Sequence, residues 1–301
     1  MIRIFDDIDK ERDRIRACIN KYGWTSDHNL DWFIDAGSSE NSRPVFAEFP
    51  DGSGLLAHDN KIEWSIWSDP LSSLESAEDK IIEFSDFAFK NGIREVWCVD
   101  VSDNIRPSLL EKKINVSEIY YSLLWPVLDM EKFDLSLPGD RFKEMRNARN
   151  KFYREHKVKS VSPKEIEQEL LHKIVNEWKN YVLKKQKEED ISDIKYHKAI
   201  GNYFKSFLDP RVFVVDGKPV GFNAGYEVVN RRGRFGGIIG IHDYSLNDLG
   251  TVLWLEDLEW IKNRGYQELD MQGSEDDEGL KLKLRFGAKI ERKTDTFWLT
   301  K

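Results

Sequence analysis

Between Arg211 and Lys301 the apolar residues alternate between the two-residue period of a strand and the 3.6-residue period of a helix, in an order that few folds accommodate. Two β-like runs, 211–216 and 219–229, meet at Gly217-Lys218, a hairpin signal. A third run, 234–241, passes through the polar loop 242–248 to Gly250-Thr251, which opens a helix reaching Lys262. Asn263-Arg264-Gly265 stops that helix, and a strand follows over 266–271. A short helix near 277–285, the pair Phe286-Gly287 and a last strand over 289–299 complete the order.

The first part of the chain repeats pieces of this pattern. Residues 4–21 read as a helix, and the Ser-, Asn- and Asp-rich stretch 27–42 reads as a loop. Short strands over 45–49, 54–58 and 61–67 form a meander, and Ser76 caps a helix over 77–90. That helix stops at Asn91-Gly92 and gives way to a strand over 94–101, as the later helix stops at Gly265 and gives way to 266–271. Pro126 within the apolar run 119–130 implies an edge strand or a bulge. Helices over 162–187 and 196–208 then lead into the hairpin.

Three features resemble the GNAT (N-acetyltransferase) fold, and more closely its Fem-type and aminoacyl-phosphatidylglycerol-synthase branch. They are Tyr244 ahead of Gly250, Thr251, Val252 and Leu253; Asp270, Met271, Gln272 and Gly273 closing a strand; and Lys283 to Gly287. The Gln/Arg-x-x-Gly-x-Gly/Ala loop of ordinary acetyl-CoA enzymes does not occur between Ile241 and Leu253. The resemblance implies an α+β protein of two tandem GNAT-like mixed sheets flanked by helices. Its expected parts are an N-terminal half over 1–134, a linker and basic helix over 135–160, and a C-terminal half over 161–301 that carries the active site. A length of 301 residues, beyond the roughly 100–200 of one domain, also favours two.

In such a fold two parallel strands splay apart and an acyl donor adds itself as a further strand. Gly225 and its neighbouring small residues either admit that donor or relieve strand twist. Asn223, Gly225, Tyr226, Asp243, Gln272, Ser274 and Arg285 are the expected substrate-binding residues. Acyl transfer needs a base for the attacking group and donors for the developing oxyanion. His242, Tyr244, Asp270 and Lys283 are the catalytic candidates, although a His or Asp at a strand end also serves as a turn cap. Lys283 matches the lysine of the Fem-type Phe-Lys-x-x-Phe-Gly motif, with Leu282 in place of the first phenylalanine; its other reading is a cation at a helix C-terminus.

The net charge is −8, yet residues 141–159 hold eight basic side chains against Glu144 and Glu155. Lys143, Arg146, Arg149 and Arg154 on that helix are the nucleic-acid-binding candidates, with a solvated helix face as the alternative. The expected co-substrate is aminoacyl-tRNA or acyl-CoA, with no permanently bound cofactor and a small-molecule or peptide acceptor. The readings left open are an aminoacyl transferase, an acyl-CoA-dependent N-acyltransferase and a binding module without chemistry. Cys18 and Cys98 lack partners at metal or redox spacing and the six histidines are scattered, so no metal is expected and a reducing, cytoplasmic setting is. No run approaches the roughly 20 apolar residues of a membrane span.

Overall fold

The structure is a computed structural model describing residues 2–37, 42–186, 193–275 and 278–301. In chain order its elements are β1 (Arg3–Phe5), α1 (Arg12–Tyr22), α2 (Leu30–Gly37), β2 (Arg43–Glu48), β3 (Gly54–Asp59), β4 (Glu63–Trp67), α3 (Ala77–Lys90), β5 (Glu95–Ser102), α4 (Ile105–Glu111) and β6 (Tyr121–Asp129). The second part contributes α5 (Lys143–Glu155), β7 (Val158–Val161), α6 (Gln168–Gln186), α7 (Ile194–Gly201), β8 (Leu208–Val215), β9 (Lys218–Glu227), β10 (Arg234–His242), α8 (Leu249–Asn263), β11 (Glu268–Asp270), α9 (Glu278–Arg285) and β12 (Lys289–Thr300).

The strands form one sheet in the order β1-β2-β3-β4-β5-β12-β6-β11-β10-β9-β8-β7. This order is nearly a palindrome. Each half lays out its first five strands in sequence, and the two closing strands are exchanged at the centre. β12 pairs with β5 of the first half, from Thr294 opposite Ser102 to Thr300 opposite Glu95, while β6 pairs with β11 of the second. β6 and β12 also pair with each other, so the two expected sheets are joined without a break.

Helices cover both faces because the strands alternate apolar residues to either side. On the first half, Val45 and Ala47 face the α3–α4 core, and Phe46 faces the core built with α1 and α2. On the second half, Phe222, Ala224 and Ile239 face α6 and α7. α5, α8 and α9 cover the opposite side with Phe235, Leu258 and Phe286. Trp32 of α2 meets Phe207 edge-on at 5.6 Å, and Tyr226 Oη donates to the Ser26 carbonyl at 2.7 Å, tying the halves together.

Several sequence expectations need correction. Ile4 lies in β1, so the first helix starts only at Arg12. Helix α2 occupies what read as loop: Asn29 caps it by accepting from the Trp32 N–H at 3.0 Å, and Leu30, Trp32 and Phe33 supply a buried face that the polar composition concealed. The hairpin turns at Asp216-Gly217, both with positive φ (50° and 84°), one residue earlier than read. α7 ends at Gly201, and Leu208 already belongs to β8. β6 is an internal strand; Pro126 is accommodated because partner β12 bulges between Ile290 and Arg292. The expected helix start at Asp277 and the expected helix end at Lys187 lie outside the described residues.

Candidate functional site

Each half contains one parallel strand pair, and the two pairs behave differently. In the first half β4 and β5 stay together from Glu63 opposite Glu95 to Trp67 opposite Val99. The Asp69 carboxylate then closes the end, accepting from Ser102 N–H and Ser102 Oγ, both at 2.7 Å. In the second half β10 and β11 share three rungs, the last being Gly236 opposite Asp270. Past that rung the chain leaves β10 and follows β6: Met271 N–H donates to the Pro126 carbonyl at 3.1 Å and Ser274 bridges to Leu124. Gln272 makes the turn with φ of 63°, its N–H held by Asp270 Oδ1 at 2.9 Å.

Residues 237–242 of β10 are thus left with an open edge, and a cleft of about 230 Å³ lies beside it. Gly237 and Gly240 line it. A Cβ built on Gly237 would come no nearer than 3.4 Å to any neighbour, and one on Gly240 no nearer than 3.6 Å. Neither residue has positive φ, so the protein's own packing does not demand glycine at either position. A bulge between Gly237 and Ile239 breaks the register with β9 at the same level.

Five of the predicted residues line this cleft: Asn223, His242, Tyr244, Gln272 and Lys283. His242 rests on the first turn of α8, where a Cβ on Gly250 would fall 2.8 Å from its Nε2. Burial lowers its pKa, so the imidazole is neutral near pH 7. Its ring lies 4.3 Å from that of Tyr244, which stacks on Tyr181 of α6 at 4.1 Å. Lys283 is nearly buried; its Nζ donates to the Gln272 carbonyl at 2.9 Å and to Ser274 Oγ at 2.6 Å. The lysine therefore holds the turn that separates the strands and also borders the gap.

The remaining predicted residues sit elsewhere. Asp270 is buried behind the cleft wall, where desolvation raises its pKa against the pull of Arg292. Gly225 is packed against β10, with 2.2 Å from an added Cβ to the Gly236 carbonyl, so its role is close strand approach. Tyr226 is the tie to Ser26 described above, and Asp243 caps its own turn by accepting from Ser245 N–H at 2.8 Å. Arg285 turns to the segment just ahead of α5, donating to the Arg141 carbonyl at 2.9 and 2.6 Å, and does not line the cleft. On α5, Arg146 donates to the carbonyls of Leu137 and Gly139, and Arg149 to that of Leu135 at 3.4 Å. Those two arginines hold the linker, whereas Lys143, Lys151 and Arg154 are exposed. Among the described residues no group of three or more His, Cys, Asp or Glu is arranged to hold a metal. No described helix is long and apolar enough to cross a membrane.

Sequence reading missed Asp257 and Arg211. Asp257 lines the cleft, and Arg211 on β8 is paired with it. The signal was present: Asp257 falls seven residues after Gly250, on the helical face that also carries Leu253, where an acidic residue interrupts an otherwise apolar stripe.

No protein-family model matches the sequence, and no curated protein matches it. Solved structures do. L-PGS from Bacillus licheniformis is similar over 96% of this chain and 91% of its own, with TM-score 0.66 and 15% identity. FemX is similar over 99% and 97%, with TM-score 0.63 and 11% identity. A tandem GNAT protein from the clavulanic acid biosynthesis pathway is similar over 100% and 98%, with TM-score 0.60 and 9% identity. The fold is a tandem GNAT fold of the α+β class.

Proposed function

We propose that this tandem GNAT-fold chain is a transferase that takes an activated acyl group, and by preference an aminoacyl group carried on tRNA, into the C-terminal cleft and passes it to an amine or hydroxyl acceptor. The observation that carries this reading is the early end of the β10–β11 ladder at Gly236 and Asp270, beside two glycines that packing does not require. An extended donor laid along 237–242 would lie on the edge of β10 that β11 has left, with no side chain at Gly237 or Gly240 in its way. The fold's likeness to FemX and L-PGS supports transfer chemistry.

In the reaction the acceptor's nitrogen or oxygen forms a bond to the donor carbonyl carbon, and the carbonyl's bond to the leaving oxygen breaks. The acceptor's proton leaves with that oxygen. Neutral His242 at the mouth is suited to receive the proton, and the Lys283 ammonium, held at the turn, stabilises negative charge developing on the carbonyl or leaving oxygen. The exposed cations Lys143, Lys151 and Arg154 on α5 are available to RNA phosphates.

A second reading, an acyl-CoA-dependent N-acyltransferase, draws on the first turn of α8 at the cleft mouth, where Gly250 is in reach of an anion. Titration calorimetry with acetyl-CoA and longer acyl-CoAs, beside a transfer assay from a charged tRNA pool to hydroxylamine and simple amines, separates the two. RNA-dependent transfer with weak CoA binding is expected. Tight CoA-ester binding with no use of charged tRNA would replace the first reading with the second.

A further inference from the structure

The depth of the C-terminal cleft is chemically unlike its walls. Ile239, Leu253, Trp254, Leu269 and Met271 make it largely apolar, and Asp257 is the carboxylate among its lining residues. Asp257 is 8% exposed, and a charge so far from water is costly unless paired. Its Oδ1 is paired: a terminal nitrogen of Arg211 donates to it. Arg211 is held in turn by stacking over the Trp260 ring at 3.8 Å. Oδ2 of Asp257 accepts no hydrogen bond among the described residues, whereas Arg211 Nε is buried without a partner.

The register explains how this pair reaches the donor's position. Arg211 of β8 lies opposite Asn223 of β9, which lies opposite Gly240 of β10. Because Gly240 has no side chain, the row opens onto the cleft at that end, and the Asn223 carboxamide is its nearest wall, 3.6 Å from where a Cβ would stand. α8 runs antiparallel above, carrying Gly250 near the mouth and Asp257 two turns deeper, some 10 Å along the axis. A donor whose leaving group sits at the mouth therefore brings its transferred group to Asp257.

We infer that Asp257, positioned by Arg211, selects donors whose transferred group carries an amine, by accepting an N–H from the α-amino group of an aminoacyl ester on Oδ2. An acetyl or other plain acyl group would bury the same carboxylate oxygen and leave it unpaired. Sites built to hydrogen-bond a polar substrate group reject the analogue that lacks it far more strongly than apolar pockets reject a missing methylene. Arg211 is a positioning residue here. It orients the carboxylate by donating to Oδ1.

This inference rests on the aminoacyl-donor reading, and the test keeps the two apart. The probes are two stable donor mimics built on 3′-amino-3′-deoxyadenosine, one bearing an alanyl amide and the other the near-isosteric propionyl amide. Calorimetry with the parent protein should favour the alanyl mimic by about tenfold to a hundredfold, the worth of one hydrogen bond to a buried charge. Asp257→Asn should reduce that ratio to within about threefold. A double variant, Arg211→Met with Asp257→Leu, removes the pair without stranding either charge; it should bind propionyl at least as well as alanyl, and its thermal melt verifies folding. Equal affinity of the parent for both mimics, or full discrimination retained in Asp257→Asn, overturns the assignment of Asp257 while leaving the donor cleft intact. Binding of neither mimic by a folded parent overturns the aminoacyl reading itself.

Discussion

Gly236 and Asp270 form the last rung between the parallel strands β10 and β11, and the chain beyond Asp270 turns toward β6. That single divergence distinguishes the second half from the first, where Asp69 closes the corresponding end.

Substitution of the glycines along this edge should separate folding from binding. Gly237→Val and Gly240→Val place their side chains in the cleft, where an added Cβ meets nothing closer than 3.4 Å. Stability should change by less than about 1 kcal/mol while donor binding is lost. Gly225→Ala forces a Cβ against the Gly236 carbonyl at 2.2 Å and should cost about 1–3 kcal/mol. Denaturant melts beside calorimetry decide it; equal destabilisation by all three would contradict the open-edge account.

Lys283→Met removes the donor held by the Gln272 carbonyl and Ser274 Oγ. Loss of transition-state stabilisation should lower kcat by about 100-fold, with a stability cost of about 1–3 kcal/mol for the stranded acceptors. Rate constants at saturating donor, measured below the melting transition, check this; an unchanged kcat removes Lys283 from the chemistry.

Asp27 gives a pH signature. Burial raises its pKa to about 7 against the attraction of Arg292, with Asp100 and Asp270 adding to the rise. A carboxyl whose folded pKa lies above its unfolded value stabilises fully below the unfolded value near 4, and that contribution is lost as pH rises through 7. Asp27→Asn lacks this pH-dependent contribution. Its stability relative to the parent should therefore climb by roughly 2–4 kcal/mol between about pH 4 and pH 8 and level off above. Urea melts across that range measure it, and a difference independent of pH would refute the assignment.

The cations of α5 divide into two groups. Charge reversal at Lys143, Lys151 and Arg154 should weaken RNA binding and shallow its salt dependence by about 0.7–0.9 in log–log slope for each phosphate no longer neutralised, with the melting temperature unchanged. Reversal at Arg146 should lower the melting temperature, because its guanidinium holds the Leu137 and Gly139 carbonyls. Filter binding over a salt series, with thermal melts of each variant, distinguishes these roles.

The strand exchange predicts that the halves do not fold apart. Phe297 and Leu299 of β12 are fully buried in the core of the first half. A fragment ending at residue 134 lacks them and leaves the edge of β5 that pairs with β12 open, so it should show no cooperative thermal transition, whereas the full chain melts in one. A sharp melt of the isolated fragment would show that β12 is dispensable.

The sequence by itself determined most of the local structure. α3 runs over Ala77–Lys90 as its apolar spacing required, although Ser76 Oγ donates to the Ser73 carbonyl at 3.1 Å and does not cap it, and Gly92 and Gly265 both end helices with positive φ ahead of a parallel strand, as the repeat implied. The helix at Leu30 escaped because three buried apolar side chains were outnumbered by polar neighbours. What only the tertiary structure decided was pairing over long range: the insertion of β12 beside β5, some 190 residues away, the parting of β10 from β11, and the meeting of Asp257 with Arg211. Periodicity specifies which face of an element is apolar; it carries no information about which distant edge or charge that face will meet. That choice rests on the combined packing of the sheet and its helices.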